Sequence, residues 1–204
     1  MRPLNELLRD SATHHRRLCP RQVLGARVGM FAASLLTLDL PQPDKRLLAF
    51  VETDGCFVDG VSAATGCYVG RRTLRVEDFG KTAVTFFDTR AERAVRIAPR
   101  LDARELAREY APKAKNRWEA QLLGYQLMPN EDLLDFKWVT MRINIPALIG
   151  QAGARVNCDS CGEEIINQRE VLWESKILCR ACAGQAYYIE AEHTSTLRFP
   201  RETR

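Results

Sequence analysis

The run Leu47-Leu48-Ala49-Phe50-Val51-Glu52-Thr53-Asp54-Gly55-Cys56-Phe57-Val58-Asp59-Gly60-Val61-Ser62-Ala63-Ala64-Thr65-Gly66-Cys67 changes its periodicity halfway. Its first five residues are an unbroken apolar stretch closed by Glu52, with the length and composition of a buried strand. Asp54 and Gly55 end that strand. From there Phe57, Val58, Val61 and Ala64 recur at three- and four-residue intervals until Gly66, which reads as a short helix. A strand that turns directly into a helix places Cys56 at the helix start and Cys67 just past its end. A thiol at a helix start sits where the macrodipole favours thiolate over thiol.

Working upstream, a short polar lead precedes Pro20, which fits the first turn of a helix. Val23, Leu24, Val28, Phe31, Ala32, Leu35 and Leu36 then recur at helical spacing, predicting a helix over 20–38 that ends before Pro41 and Pro43. Downstream, 74–76, 81–87 and 93–98 read as short strands, and with the first they make one mainly antiparallel sheet. Residues 102–128 are helical with a break at Pro112, and 136–145 alternates well enough for a further strand ending at Pro146. Gly150 and Gly153 mark a linker. The expected fold class is α+β, a mainly antiparallel sheet packed with helices over 1–150, followed by a small treble-clef or zinc-ribbon-like finger over 151–204.

A chain of 204 residues that is 46% hydrophobic and 27% charged can bury one full core and carry a small appended module. The net charge of +4 is mild, and its Lys and Arg are interleaved with Asp and Glu, which argues against nucleic acid as a partner. No apolar run is long enough to cross a bilayer and the first residues lack a secretory h-region, so a cytoplasmic protein with no membrane partner is expected. Seven cysteines are an odd number, and four of them fall in two C-x2-C pairs, which points to metal or thiol chemistry over disulfides.

Those pairs, Cys158-Asp159-Ser160-Cys161 and Cys179-Arg180-Ala181-Cys182, have the spacing of a four-cysteine zinc site, and Gly162 suits the left-handed turn such a knuckle needs. Ile165, Val171 and Leu172 supply a small hairpin, and 181–190 can form a helix. A site closed by four thiolates leaves no open position for substrate, so its zinc reads as structural. Arg155, Lys176 and Arg180 are few and mixed with Glu163, Glu164, Glu170 and Glu174, so the finger is no obvious nucleic-acid reader.

The remaining thiols sit beside other ligand types. His14, His15 and Cys19 precede the first long helix, and the four-residue spacing of His15 and Cys19 can close onto one ion. Cys67 joins Cys19 and Cys56 only if the fold brings the helix ends together. The plainer alternative makes these cysteines small buried side chains and the histidines exposed.

Three elements stand in a fixed order across this half of the chain: His15-Arg16-Arg17-Leu18-Cys19-Pro20-Arg21 leading into Leu24-Gly25-Ala26-Arg27; Glu52-Thr53-Asp54-Gly55-Cys56-Phe57-Val58-Asp59; and Thr65-Gly66-Cys67 with Gly70, Leu74 and Asp78-Phe79-Gly80-Lys81. In order and spacing the stretch from His15 to Phe87 resembles the FmdE family, named after a component of formylmethanofuran dehydrogenase, many members of which also end in a four-cysteine finger. The resemblance implies an α+β domain that forms a homodimer and holds a metal, often zinc, at His15, Cys19, Cys56 and Cys67. Arg17 stands where the family element has its second histidine. A fixed cation cannot ligate a metal but could hold a small anionic ligand in this N-terminal pocket. Within the same resemblance Asp59, one turn beyond Cys56, could orient a ligand or shuttle a proton, and Lys81 could direct a positive charge at a thiol.

The leading expectation is a zinc-binding accessory, redox or metal-handling factor linked to one-carbon or molybdenum/tungsten enzyme metabolism, because imidazole and thiolate suit soft metals. The alternatives are an enzyme using Cys19 or Cys56 with His15 as base, and a ligand-sensing regulatory protein with a nucleic-acid- or protein-binding finger.

Overall fold

The computed structural model describes residues 1–13, 17–150 and 153–189. The chain divides into two compact units, Met1–Met141 and Arg142–Arg204. Among the described residues no helix is long and apolar enough to cross a membrane.

The first unit is α+β. Its elements are α1 (Leu4–Ser11), α2 (Pro20–Leu36), β1 (Leu47–Val51), α3 (Cys56–Thr65), β2 (Leu74–Val76), β3 (Val84–Asp88), β4 (Arg93–Pro99), α4 (Ala103–Tyr110), α5 (Arg117–Leu127), α6 (Asn130–Leu133) and β5 (Leu134–Val139). The five strands form one sheet in the order β2-β1-β3-β4-β5, antiparallel except that β1 and β2 run parallel, joined by the α3 crossover. One face of the sheet, with Leu47, Ala49, Val51, Val84, Phe86, Val95 and Ile97, joins α2 and α3 in a single apolar core. The polar lead expected before Pro20 contains α1, whose Leu4, Leu7 and Leu8 have helical spacing and whose Leu7 and Leu8 are buried. The last strand begins at Leu134 instead of 136 because it pairs from Pro99↔Leu134 to Ala94↔Val139 along β4, and Ile145 opens a later helix. The third strand begins at Val84 instead of 81, because Lys81 and Ala83 bond to the backbone of Glu52 in a turn.

Helix α2 is apolar nearly all round and is the hub of the unit, which is what a helix packed on several sides requires. It meets α3 backbone to backbone. A Cβ on Gly25 would collide with the Phe57 carbonyl and stand 2.8 Å from the Val61 nitrogen; one on Gly60 would collide with the Gln22 carbonyl and stand 2.7 Å from the Ala26 nitrogen; one on Gly29 would lie 2.6 Å from the Ala64 Cβ. The contacts advance in the same sense along both helices. The two therefore run parallel, with their N-termini at one end.

The second unit contains α7 (Ile145–Gly150) and two antiparallel hairpins, β6 (Arg155–Asn157) with β7 (Glu164–Ile166) and β8 (Val171–Trp173) with β9 (Lys176–Leu178). Ile165 and the adjacent pair Val171 and Leu172 thus belong to different hairpins. The helix expected over 181–190 is reduced to the turn Ala181–Gln185, broken where Gly184 adopts φ 83°.

Two substitutions separate the forces at work. Gly60→Ala, which must push apart two helix backbones, is expected to cost about 3 kcal/mol in urea unfolding, whereas Gly70→Ala, with nothing within 4 Å, should stay within about 0.5 kcal/mol of wild type. Asp88 is fully buried, and the Arg46 guanidinium, with backbone N–H groups of Arg90 and Ala91, holds its carboxyl below the usual carboxylate range. That contribution is complete above the unfolded aspartate range and is lost as pH falls through the lowered folded value. Asp88→Asn should therefore be less stable than wild type at neutral pH and lose less stability on acidification, read from unfolding midpoints at stepped pH.

Candidate functional site

Cys19 is the N-cap of α2, in extended conformation at φ −126° and ψ 159°. Its sulfur takes the place of the usual Ser or Asp oxygen and receives the Gln22 N–H, while the Gln22 Oε1 accepts from the Cys19 N–H at 2.8 Å. Gln22 is fully buried, and its Nε2 donates to the Ser11 carbonyl at 2.7 Å, at the end of α1. Cys56 opens α3 after Gly55, whose φ of 78° lets the chain turn sharply out of β1. Because α2 and α3 are parallel, these two helix starts lie together, and the Cys56 and Cys19 side chains are close enough to act on one another.

Burial first, then the neighbouring Cys19 sulfur, push the Cys56 thiol above its ordinary range, and Asp59 adds to the shift. The helix start was expected to favour thiolate at Cys56; desolvation and a second sulfur outweigh it. Asp59 is thus near enough to Cys56 to act on it electrostatically. The turn that carries Cys56 is fixed from below by Glu52, whose carboxylate takes a two-pronged ion pair from Arg96 at 2.6 and 2.7 Å. The Glu52 carbonyl accepts from Phe79 and Lys81, and its N–H donates to Ala83.

His15 is outside the described residues. Arg17 is exposed and stacks over the Trp118 ring, 5.2 Å from its centroid. Lys81 has an exposed side chain and is held by its backbone. Cys67 is not brought to the pair. It follows the far end of the ten-residue α3, roughly 15 Å along the axis from Cys56, is 2% exposed, and donates to the Leu47 carbonyl at 3.4 Å. Burial raises its thiol, and its surroundings are those of a small core side chain.

In the second unit Cys158, Cys161, Cys179 and Cys182 converge, their sulfurs all within 4.8 Å of one another. The first knuckle joins β6 to β7 and the second follows β9. Gly162, at φ 77°, donates to the Cys158 carbonyl at 2.9 Å, and the Cys179 N–H points at the Cys158 sulfur at 3.2 Å. Asp159 ties the two hairpins by exchanging hydrogen bonds with Ile177 at 2.8 and 2.7 Å. Backbone N–H groups of Cys161 and Cys179 lower the Cys158 thiol to about 6. At Cys161 the Glu163 N–H works in the same direction, but burial and the other sulfurs prevail and push it up to about 12. Adjacent sulfurs oppose one another's ionisation, and a bound cation would relieve that repulsion. Tetrahedral sulfurs at zinc distance stand about 3.8 Å apart, so the donor set fits a single thiophilic ion with little movement.

Sequence reasoning gave no role of their own to Gln22, Glu52 and Arg96. Glu52 and Arg96 meet across two strands, a register that one sequence does not reveal. Gln22 carried a signal, since a polar residue three positions after an N-cap is half of a capping box.

The profile of the family FmdE, described as "Molybdenum formylmethanofuran dehydrogenase operon", matches residues 14–135. A curated protein of Archaeoglobus fulgidus named "Probable S-adenosyl-L-methionine-binding protein" is 26% identical over 211 residues, covering 91% of this chain and 55% of that protein. The chain therefore spans about half the length of that relative. The crystal structure of a tungsten formylmethanofuran dehydrogenase FmdE-like protein from Syntrophus aciditrophicus superposes with a TM-score of 0.56 at 22% identity, over 91% of this chain and 95% of that one, and shares the fold.

Alkylation distinguishes the three N-terminal thiols. With no metal bound at the pair, Cys19 and Cys56, both part-exposed, should react with iodoacetamide in the folded protein, and Cys67 at least about a hundredfold more slowly because it needs an opening event, as read by peptide mass mapping against time.

Proposed function

The chain belongs to the FmdE family, and from that premise we propose that it is a metal-binding accessory protein with two soft-metal sites of different purpose. The four-cysteine finger holds a structural zinc. The pair Cys19 and Cys56, with His15 as a further ligand, binds zinc or another thiophilic metal at the shared start of two helices and serves redox, metal or one-carbon metabolism. The observation that carries this reading is the convergence of two part-exposed sulfurs at the positive ends of parallel helices, within electrostatic reach of Asp59. Two adjacent sulfurs oppose each other's ionisation, and a bound metal supplies the positive charge that their thiolates need.

The family description and the S-adenosyl-L-methionine in the relative's name support a setting in one-carbon metabolism. A cytoplasmic homodimer belongs to the same proposal. Edge strand β5, with Phe136 and Trp138 each 46% exposed, supports the dimer.

A second reading makes Cys19 or Cys56 a nucleophile with His15 as base. The raised Cys56 thiol favours the metal reading, because a ligand gives up its proton as the metal binds, whereas a nucleophile must be ionised beforehand.

Elemental analysis tests the proposal. Wild-type protein purified with zinc present should carry two equivalents per chain, and the Cys19→Ala/Cys56→Ala variant one. One equivalent in both proteins would leave the metal in the finger alone and overturn the N-terminal site.

A further inference from the structure

Arg27 lies two turns along α2 from the cysteine pair and is 9% exposed. Its NH1 donates to the Tyr125 carbonyl at 2.6 Å, and its NH2 to the Met128 carbonyl at 2.7 Å and the Asn130 Oδ1 at 2.9 Å. The two carbonyls belong to the last turn and C-cap of α5, so the guanidinium meets the negative end of a helix. Among the described residues no carboxylate faces it. Burying a cation without a counter-ion costs several kcal/mol, and carbonyl dipoles offset only part of that. Three of the five guanidinium N–H groups are committed, which leaves two for another acceptor.

Arg27 also lines a cavity of about 360 Å³, walled by Leu4, Met30, Gln126, Met128 and Asn130 among others. Polar and apolar atoms share the lining. A second cavity of about 340 Å³, between α4 and α5 beside Tyr110 and Leu127, is almost wholly apolar and has no buried charge on its wall. The first is therefore the one with a reason to take a charged ligand, and its volume suits a small molecule.

We propose that this cavity is a binding site for a small monocarboxylate, whose carboxylate completes the charge balance of Arg27 while its short apolar chain lies against Leu4, Met30 and Met128. Both NH2 protons are committed, so the remaining Nε–H and NH1 proton form no parallel fork and offer a carboxylate single charge-assisted hydrogen bonds, and the methionine and leucine side chains favour an organic anion over an inorganic one. The site is independent of the cysteine pair and of any metal.

The test is a titration of ¹⁵N- and methyl-labelled full-length protein at neutral pH with butyrate, 1-butanol and sulfate in parallel. Butyrate should give saturable shifts at the Arg27 Nε–H and at the Met30 and Met128 methyls, with butanol and sulfate giving none. Gln126→Glu places a carboxylate in the cavity without touching Arg27, and Ser34→Glu does so at its exposed rim; each should weaken butyrate binding at least about tenfold. The Cys19→Ala/Cys56→Ala protein should bind butyrate like wild type, which separates this site from the metal proposal. A response to butyrate that does not saturate, that butanol or sulfate reproduces, or that survives both added carboxylates overturns the inference.

Discussion

The backbone contact between α2 and α3 at Gly25 and Gly60 is the constraint on which the first unit depends. Only glycine lets two helices approach until one carbonyl occupies the place of the other's Cβ, and both positions do so reciprocally. The approach fixes the helices parallel. Parallel dipoles repel, so the arrangement must be held by packing, and the near-continuous apolar surface of α2 provides that packing. What the repulsion leaves behind is a single end of the pair where positive potential is concentrated. Cys19 and Cys56 stand at that end because one caps α2 and the other begins α3.

Much of this was legible in the sequence, and the limits have identifiable causes. The strand-to-helix switch over 52–56, the Pro20 helix start and the break at Pro112 are local signals, and the structure places β1, α3, α2, α4 and α5 where they point. Helix α1 was readable from Leu4, Leu7 and Leu8, but it is short and its polar residues outnumber that stripe. The parallel pairing of β2 with β1 and the start of β5 at Leu134 are products of register, which depends on partners far away in the chain. For the site, the resemblance grouped Cys67 with Cys19 and Cys56, whereas the helical pattern already put Cys67 past the opposite end of α3, and the structure keeps it there. Arg17 looked like the free cation of the N-terminal half, yet it rests on Trp118, and it is Arg27 that is buried with no carboxylate facing it among the described residues.

The two cysteine clusters differ in what holds them. In the finger the apolar core amounts to Cys158, Ile165 and Leu178 with a few part-buried neighbours, far too little to order two hairpins by burial alone. Hydrogen bonds from backbone N–H to sulfur and the exchange between Asp159 and Ile177 preorganise the four donors, and an ion bound by them would add the stabilisation that the small core does not supply. At the helix starts the opposite holds. The sulfurs are positioned by the main apolar core of the unit, so a ligand bound there would add to a fold that does not depend on it.

That difference follows from where α2 places its few polar residues. On its buried faces a helix cannot satisfy side chains with water, so each polar group there must answer an orphan backbone group of a neighbour. Gln22 does this for the last carbonyl of α1 while closing the Cys19 cap, and Arg27 does it for the last turn of α5. The amide is neutral, so its bonds leave no charge to be balanced. The guanidinium is charged, and two carbonyls with one amide oxygen meet its hydrogen-bonding need more fully than its charge. A buried charge balanced by dipoles, set in the wall of a cavity that the rest of the core does not fill, is the polar residue of α2 that its neighbours leave incomplete.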